Sequence, residues 1–117
     1  MIRRIIFTLS IVLLVGACAG PQTIYNWGQY EQTLFVHYHD PALKKEALQK
    51  YIAFVETGGT PEHPIAPGLF AEAGTFMLEE GDVPGAIKFY QMESDAWPEA
   101  RPMLSVLISN LEARVDE

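Results

Sequence analysis

The chain has 117 residues, 49% of them hydrophobic, with 15 acidic against 8 basic side chains and a formal net charge of −7. That balance argues against partners recognised by positive charge, nucleic acid or anionic headgroups, because both demand clustered Lys and Arg. A single cysteine, Cys18, excludes an internal disulfide, so stability has to come from a packed core, which a chain of this length can supply.

The first element is not part of that core. Arg3 and Arg4 precede an apolar run over residues 5–15, broken only by Thr8 and Ser10, and Gly16-Ala17 leads into Cys18. This is the three-part build of a bacterial export signal. As a helix, its apolar run would cover roughly 17–20 Å, short of a ~30 Å hydrocarbon core. The ending Val15-Gly16-Ala17-Cys18 resembles a lipobox. That resemblance implies a diacylglyceryl group on the Cys18 thiol, cleavage before Cys18, and a lipoprotein. It divides the chain into a signal peptide (1–17), a lipidated cysteine with a short tether (18–23), and a folded domain (24–117). Ala19, in place of Asp, implies sorting to the outer membrane on its periplasmic face. Five or six extended tether residues reach only about 20 Å, so the domain is expected to ride close to the bilayer.

Cleavage would leave 100 residues carrying six basic and fifteen acidic side chains, a net charge of −9. From Glu56 onward there are twelve acids and only Lys88, Arg101 and Arg114 as bases. Two readings stay open: a solvated surface, or a cationic or metal-bridged partner for the C-terminal face.

Within the aromatic-rich segment 24–39, Trp27, Tyr30, Leu34, Phe35 and Tyr38 share one helical face, which predicts a helix over 27–39. Asn26 is its expected cap, with Gln29 three residues on. The stripe reads either as core or as a docking surface beside the membrane. Asp40-Pro41 closes this helix and opens the next. Residues 41–57 form the clearest helix, with Leu43, Ala47, Leu48, Tyr51, Phe54 and Val55 inward, a Glu46–Lys50 pair outside, and Gly58-Gly59 as its stop. Pro61, Pro64 and Pro67 make residues 60–67 a loop. Next comes a helical hairpin over 67–98. Its first stripe is Leu69, Phe70, Ala73, Phe76 and Met77; Gly81 turns the chain; Asp82 caps a second helix with Ala86, Ile87, Tyr90 and Trp97 inward. A last helix over 99–115 places Leu104, Leu107, Ile108, Leu111 and Val115 inward, with Pro102 in its first turn. Asp116 and Glu117 oppose its dipole and predict fraying.

The hairpin resembles a tetratricopeptide repeat, whose period is about 34 residues. The large position falls on Phe70, the paired small positions on Ala73 and Gly74, the inter-helix glycine on Gly81, the second-helix small residue on Ala86, its aromatic on Tyr90, and the terminal proline on Pro98. Met77 stands where the repeat carries an aromatic. Glu93 stands where it carries a second small residue, which implies looser or shifted packing there. Residues 27–57 look like a degenerate preceding pair and residues 99–115 like a capping helix. The expected fold is therefore all-α, built of antiparallel hairpins. Tyr25-x-Trp27-Gly28-x-Tyr30, Pro67-Gly68-Leu69 and Gly81-Asp82 also resemble a family of small proteobacterial lipoproteins of unassigned function. Its members tend to be encoded beside lipoproteins similar to the curli secretion channel. That resemblance implies a role in envelope assembly and supplies no catalytic residues.

Catalytic chemistry finds little purchase. His37 and His39, two residues apart, fall on different helix faces, a poor metal spacing. His63 has only Glu62 nearby, and Glu79-Glu80 and Glu93-x-Asp95 do not supply carboxyls held apart across a cleft as sugar hydrolysis requires. No enzyme, metal or cofactor is expected. The expected activity is protein binding as an accessory or assembly factor. A regulator or enzyme of peptidoglycan metabolism is the competing class. In tetratricopeptide proteins partners lie in the groove lined by first helices, which implies Ala71, Thr75, Leu78 and Glu79, continued by Ser105, Ser109 and Glu112. Such a small, acidic groove lacks the Lys, Arg or Asn that would grip a terminal carboxylate and suits a neutral or basic segment. Trp27 marks the alternative partner face.

Overall fold

In the computed structural model, which describes residues 23–115, five α-helices follow one another: α1 (Tyr30–His39), α2 (Lys44–Thr57), α3 (Leu69–Glu79), α4 (Val83–Ala96) and α5 (Arg101–Val115), with a 3-10 turn at Pro98–Ala100. The all-α class expected from the sequence holds. The export signal, Cys18, the tether as far as Gln22, and Asp116–Glu117 lie outside the described residues. Each helix packs on its successor, and α3 with α4 forms the most closely engaged pair. Among the described residues no helix is long and apolar enough to cross a membrane.

The helix signals read from the sequence act as expected in the centre of the chain. Asp82 accepts from the Gly85 N–H at 2.9 Å and caps α4, with Pro84 in its first turn. Gly81 lies between α3 and α4, and Pro98 follows the end of α4 at Trp97. Arg101 Nε donates to Ser94 O at 2.9 Å, tying the start of α5 to the end of α4. The Glu46–Lys50 pair forms at 2.7 Å on the solvent side of α2.

Two buried clusters meet across α3. One gathers Leu48, Tyr51 and Val55 of α2, Ile65 and Ala66 of the proline loop, Leu69, Ala73 and Phe76 of α3, and Phe89 of α4. The other joins Ala86 and Tyr90 of α4 to Leu104 and Leu111 of α5. Met77 packs against both. Tyr51 is the hub of the first cluster. Its hydroxyl donates to Leu69 O at 2.9 Å, and its ring meets Phe76 edge-on at 5.6 Å. A buried phenol needs such a partner, because an unpaired hydroxyl in the core would forfeit its hydration.

The α3–α4 crossing is close because its facing positions are small, as the repeat resemblance implies. Ala73 and Ala86 are fully buried, and a Cβ on Gly74 would come within 2.7 Å of the Tyr90 ring. Helices approach this nearly only where side chains leave the groove empty.

Three expectations fail. The first helix begins at Tyr30, not at residue 27, and Asn26 does not cap it. Asn26 instead pairs with the proline loop: its N–H donates to Pro64 O, its C=O accepts from Ala66 N, and its side-chain amide donates to Gly58 O at 2.7 Å. One asparagine thus satisfies three backbone groups of a segment that forms no helix of its own, which holds residues 24–28 in a short bridge outside α1. The aromatic stripe divides: Tyr30 and Leu34 pack against the first cluster, whereas Phe35 and Tyr38 are 63% and 64% exposed and Trp27 is also exposed. The inward positions of α1 are Tyr30, Thr33, Leu34 and His37, at i, i+3, i+4 and i+7. Leu43 and Val115, read as inward, face solvent. Leu43 sits in the turn that Asp40 holds by accepting from Ala42 and Leu43 N–H, so α2 starts only at Lys44.

The crossing yields the first prediction. Gly74→Ala, which in an open helix would gain about 1 kcal/mol of propensity, should instead lower stability, and Ala86→Leu should cost about 1–3 kcal/mol by overpacking. Denaturant midpoints check both; unchanged midpoints would show that the helices cross with space to spare.

Candidate functional site

Two polar arrangements interrupt this apolar packing, and neither was expected. The first lies where α1 faces α3. His37, nearly buried, hydrogen-bonds Glu79 Oε2 through Nε2 at 2.7 Å, and its ring packs on Phe76 with centroids 4.3 Å apart. Lys44 Nζ approaches the same carboxylate at 3.5 Å. Two turns toward the start of α3, Glu72 has its carboxyl raised above its ordinary value by burial and by the Glu79 charge, with His37 opposing. Burial and Glu72 also raise the Tyr30 phenol, and burial raises that of Tyr51 further. The α1–α3 face is thus a row of titratable groups laid over an aromatic floor. His39 points elsewhere, with Nδ1 to Phe35 O and its ring stacked on Phe35 at 4.5 Å. Among the described residues no group of three His, Cys, Asp or Glu side chains is arranged to hold a metal ion.

The second arrangement is Glu93 of α4, only 3% exposed. Its Oε1 accepts from the Gly68 N–H at 2.6 Å and its Oε2 from the Ala71 N–H at 3.3 Å. Gly68 is the N-cap of α3, with φ at +91°, a left-handed conformation that favours glycine, and it offers no side chain to the first turn. A carboxylate reaching from the next helix supplies what Ser, Thr, Asp or Asn would supply locally, and it meets the positive end of the helix dipole. The looser packing expected at Glu93 is therefore corrected: the side chain fills its space and ties two helices together. A sequence signal existed, since an acidic residue stands at a small-residue position opposite a helix start reading Pro67-Gly68.

The groove residues do not assemble as one surface. Ser105, Ser109 and Glu112 line a shallow cleft between α4 and α5 with Gln91, Ser94, Asp95 and Arg101. Ala71 and Leu78 pack instead against the second buried cluster. The Thr75 hydroxyl lies 3.1 Å from Ala71 O and 3.2 Å from the Tyr90 hydroxyl. Glu79 is engaged with His37 and Lys44, so it is not a free rim charge, and replacing it would disturb the α1–α3 contact. Trp27 lies apart from all of these, against Tyr30 with centroids 6.2 Å apart. His37 escaped the sequence reading because a histidine counts as polar until its carboxylate partner, 42 residues away, is known.

The chain belongs to the family described as Domain of unknown function (DUF4810), which matches residues 24–107. No curated protein matches the chain, and no solved structure does.

Two measurements test these polar groups. Glu93→Ala leaves two N–H groups of the α3 start without their acceptor and should lower stability by about 2–4 kcal/mol, with Glu93→Gln falling between; equal denaturant midpoints for all three proteins would refute the cap. Glu72 holds its proton more tightly folded than unfolded, so its contribution is intact below the ordinary value of 4.5 and lost as pH rises through the raised one. Glu72→Gln should therefore melt higher than the parent at pH 7 and show no advantage near pH 4 and below.

Proposed function

We propose that this protein is an outer-membrane lipoprotein, held on the periplasmic face through a diacylglyceryl group on Cys18, whose helices act as a non-enzymatic protein-binding accessory or assembly factor. The anchor reading rests on the signal and lipobox-like ending of residues 1–18. The partner is an envelope protein, and the family resemblance favours a second lipoprotein similar to the curli secretion channel.

One observation carries the binding reading. Helices α2, α3 and α4 each pack against a neighbour on either side, whereas α5 packs on α4 alone and leaves Met103 67% and Val106 61% exposed. In stacked helical arrays the outermost helix keeps a polar outer face unless something covers it. The same helix contributes Ser105, Ser109 and Glu112 to a cleft in which Asp95 and Glu112 outnumber Arg101. A helix with exposed apolar side chains and a cleft richer in carboxylates than in cations suits a neutral or basic segment, with charge chiefly speeding the encounter.

Cys18→Ser should accumulate uncleaved and incorporate no lipid label; normal processing would end the anchor reading. A photo-crosslinking residue at Val106, with Thr57 as control, should yield an adduct with an envelope protein in living cells. Glu112→Lys should reduce that adduct several-fold at low ionic strength and less at high salt. Failure to crosslink, or release of muropeptides by the purified protein, would overturn the binding reading.

A further inference from the structure

The exposed aromatics of the N-terminal edge have no role in the core and lie far along the chain from α5. With Ile24 they are spread along α1 and the segment before it, with Glu31 between Trp27 and Phe35. Ile24 is 68% exposed, Trp27 is 42% exposed, and a shallow hollow links Thr23 and Trp27 to Glu31 in the first turn of α1. Phe35 follows Glu31 by one helical turn, and Tyr38 follows Phe35 by three residues on the same side. Over the ten residues of α1 this edge extends about 15 Å. Thr33 and His37 are buried, and Tyr38 meets the His37 ring edge-on with centroids 4.8 Å apart.

We propose that the edge formed by Ile24, Trp27, Phe35 and Tyr38 lies in the headgroup layer of the membrane that holds the anchor, so that the protein rests on the bilayer through α1. This rests on the reading of Cys18 as the acylated residue and goes beyond it, because an acyl chain tethers a domain without orienting it. Three observations select a lipid surface as the occupant. The edge begins at Thr23–Ile24, only five residues beyond Cys18, and five extended residues span less than about 18 Å. A tether that short holds residues 24–28 and the start of α1 near the bilayer, together with the proline loop and Trp97 that pack against Asn26 and Tyr25.

The side chains are also those that settle at a bilayer surface. Trp and Tyr place an apolar ring among the acyl chains and a polar edge among the headgroups, and Ile24 and Phe35 add apolar area. Charge selects the same edge. Residues 23–55 carry Glu31, Asp40 and Glu46 against Lys44, Lys45 and Lys50, which balance, whereas residues 56–115 carry ten acids against Lys88, Arg101 and Arg114. An anionic membrane repels the acidic half and tolerates the neutral one, so both attraction and repulsion turn α1 toward the lipid and α5 toward the periplasm.

The test uses the processed, lipidated full-length protein carrying Trp97→Phe, so that Trp27 is the sole indole, reconstituted into phosphatidylethanolamine–phosphatidylglycerol vesicles. With dibrominated acyl chains in the vesicles, Trp27 fluorescence should fall at least two-fold against unbrominated vesicles. The Trp27→Phe protein, whose Trp97 packs against Tyr25 on the inner side of this edge, should be quenched less than the Trp97→Phe protein. Should Trp97→Phe disturb folding, a nitroxide on Phe35→Cys reads the same surface from an exposed position that the core does not use. It should be more accessible to oxygen than to a nickel chelate, and a nitroxide on Val106→Cys the reverse. Flotation separates the two readings. Protein that floats with the vesicles while Trp27 and Phe35 remain in water keeps the anchor and overturns the docking. Protein that fails to float overturns both. Quenching absent from vesicles but protection of Phe35 in native envelopes would assign the edge to a protein, and the proposal would fall.

Discussion

The contact on which the rest of this fold depends is the carboxylate of Glu93 at the start of α3. That helix is the centre of the molecule, touched by α2 on one side and α4 on the other, with both buried clusters meeting across it. Yet its own N-terminus is poorly provided for, since Pro67-Gly68 brings neither a capping side chain nor a full set of acceptors. The unsatisfied first-turn N–H groups of a helix must find partners, and here two of them find one residue, buried in α4. A charge-assisted hydrogen bond of this kind is stronger than a neutral one, and two of them restrain the offset between α3 and α4. Gly74 opposite Tyr90 and the fully buried Ala86 then follow as the small surfaces that this offset brings together.

From that fixed pair the molecule grows differently in its two directions. Toward the N-terminus the packing is aromatic and partly polar: Tyr51 on Phe76 and Tyr30, His37 on Phe76, and Glu79 receiving His37. Toward the C-terminus it is aliphatic, with Leu104 and Leu111 on Ala86 and Tyr90. Each outer helix leaves a different kind of surface, a rim of Trp27, Phe35 and Tyr38 on one side and Met103 with Val106 on the other.

What the sequence alone determined is what local chemistry determines. Apolar spacing at 3.6 residues marked α2, α3 and α4. Asp82 and Gly81 marked the turn of the hairpin, the prolines marked the 60–67 loop, and small residues at 73, 74 and 86 marked a close crossing. Each of those signals acts within one turn or one hairpin, so neighbours along the chain carry the whole cause.

Only the tertiary structure decided which face of α1 turns inward, where that helix begins, and what Glu93 and Glu79 do. The stripe of Trp27, Phe35 and Tyr38 and the stripe of Tyr30, Thr33 and His37 are both helical in period, and hydrophobicity alone favours the first. The second lies inward because Glu79 takes the imidazole and Phe76 takes its ring, partners about forty residues distant. Asn26 likewise reads as a cap until Gly58 and the proline loop offer it better-placed groups. In each case a polar side chain changes its meaning when a partner remote in sequence satisfies it, because a buried hydrogen bond removes the desolvation cost that would otherwise keep that residue at the surface.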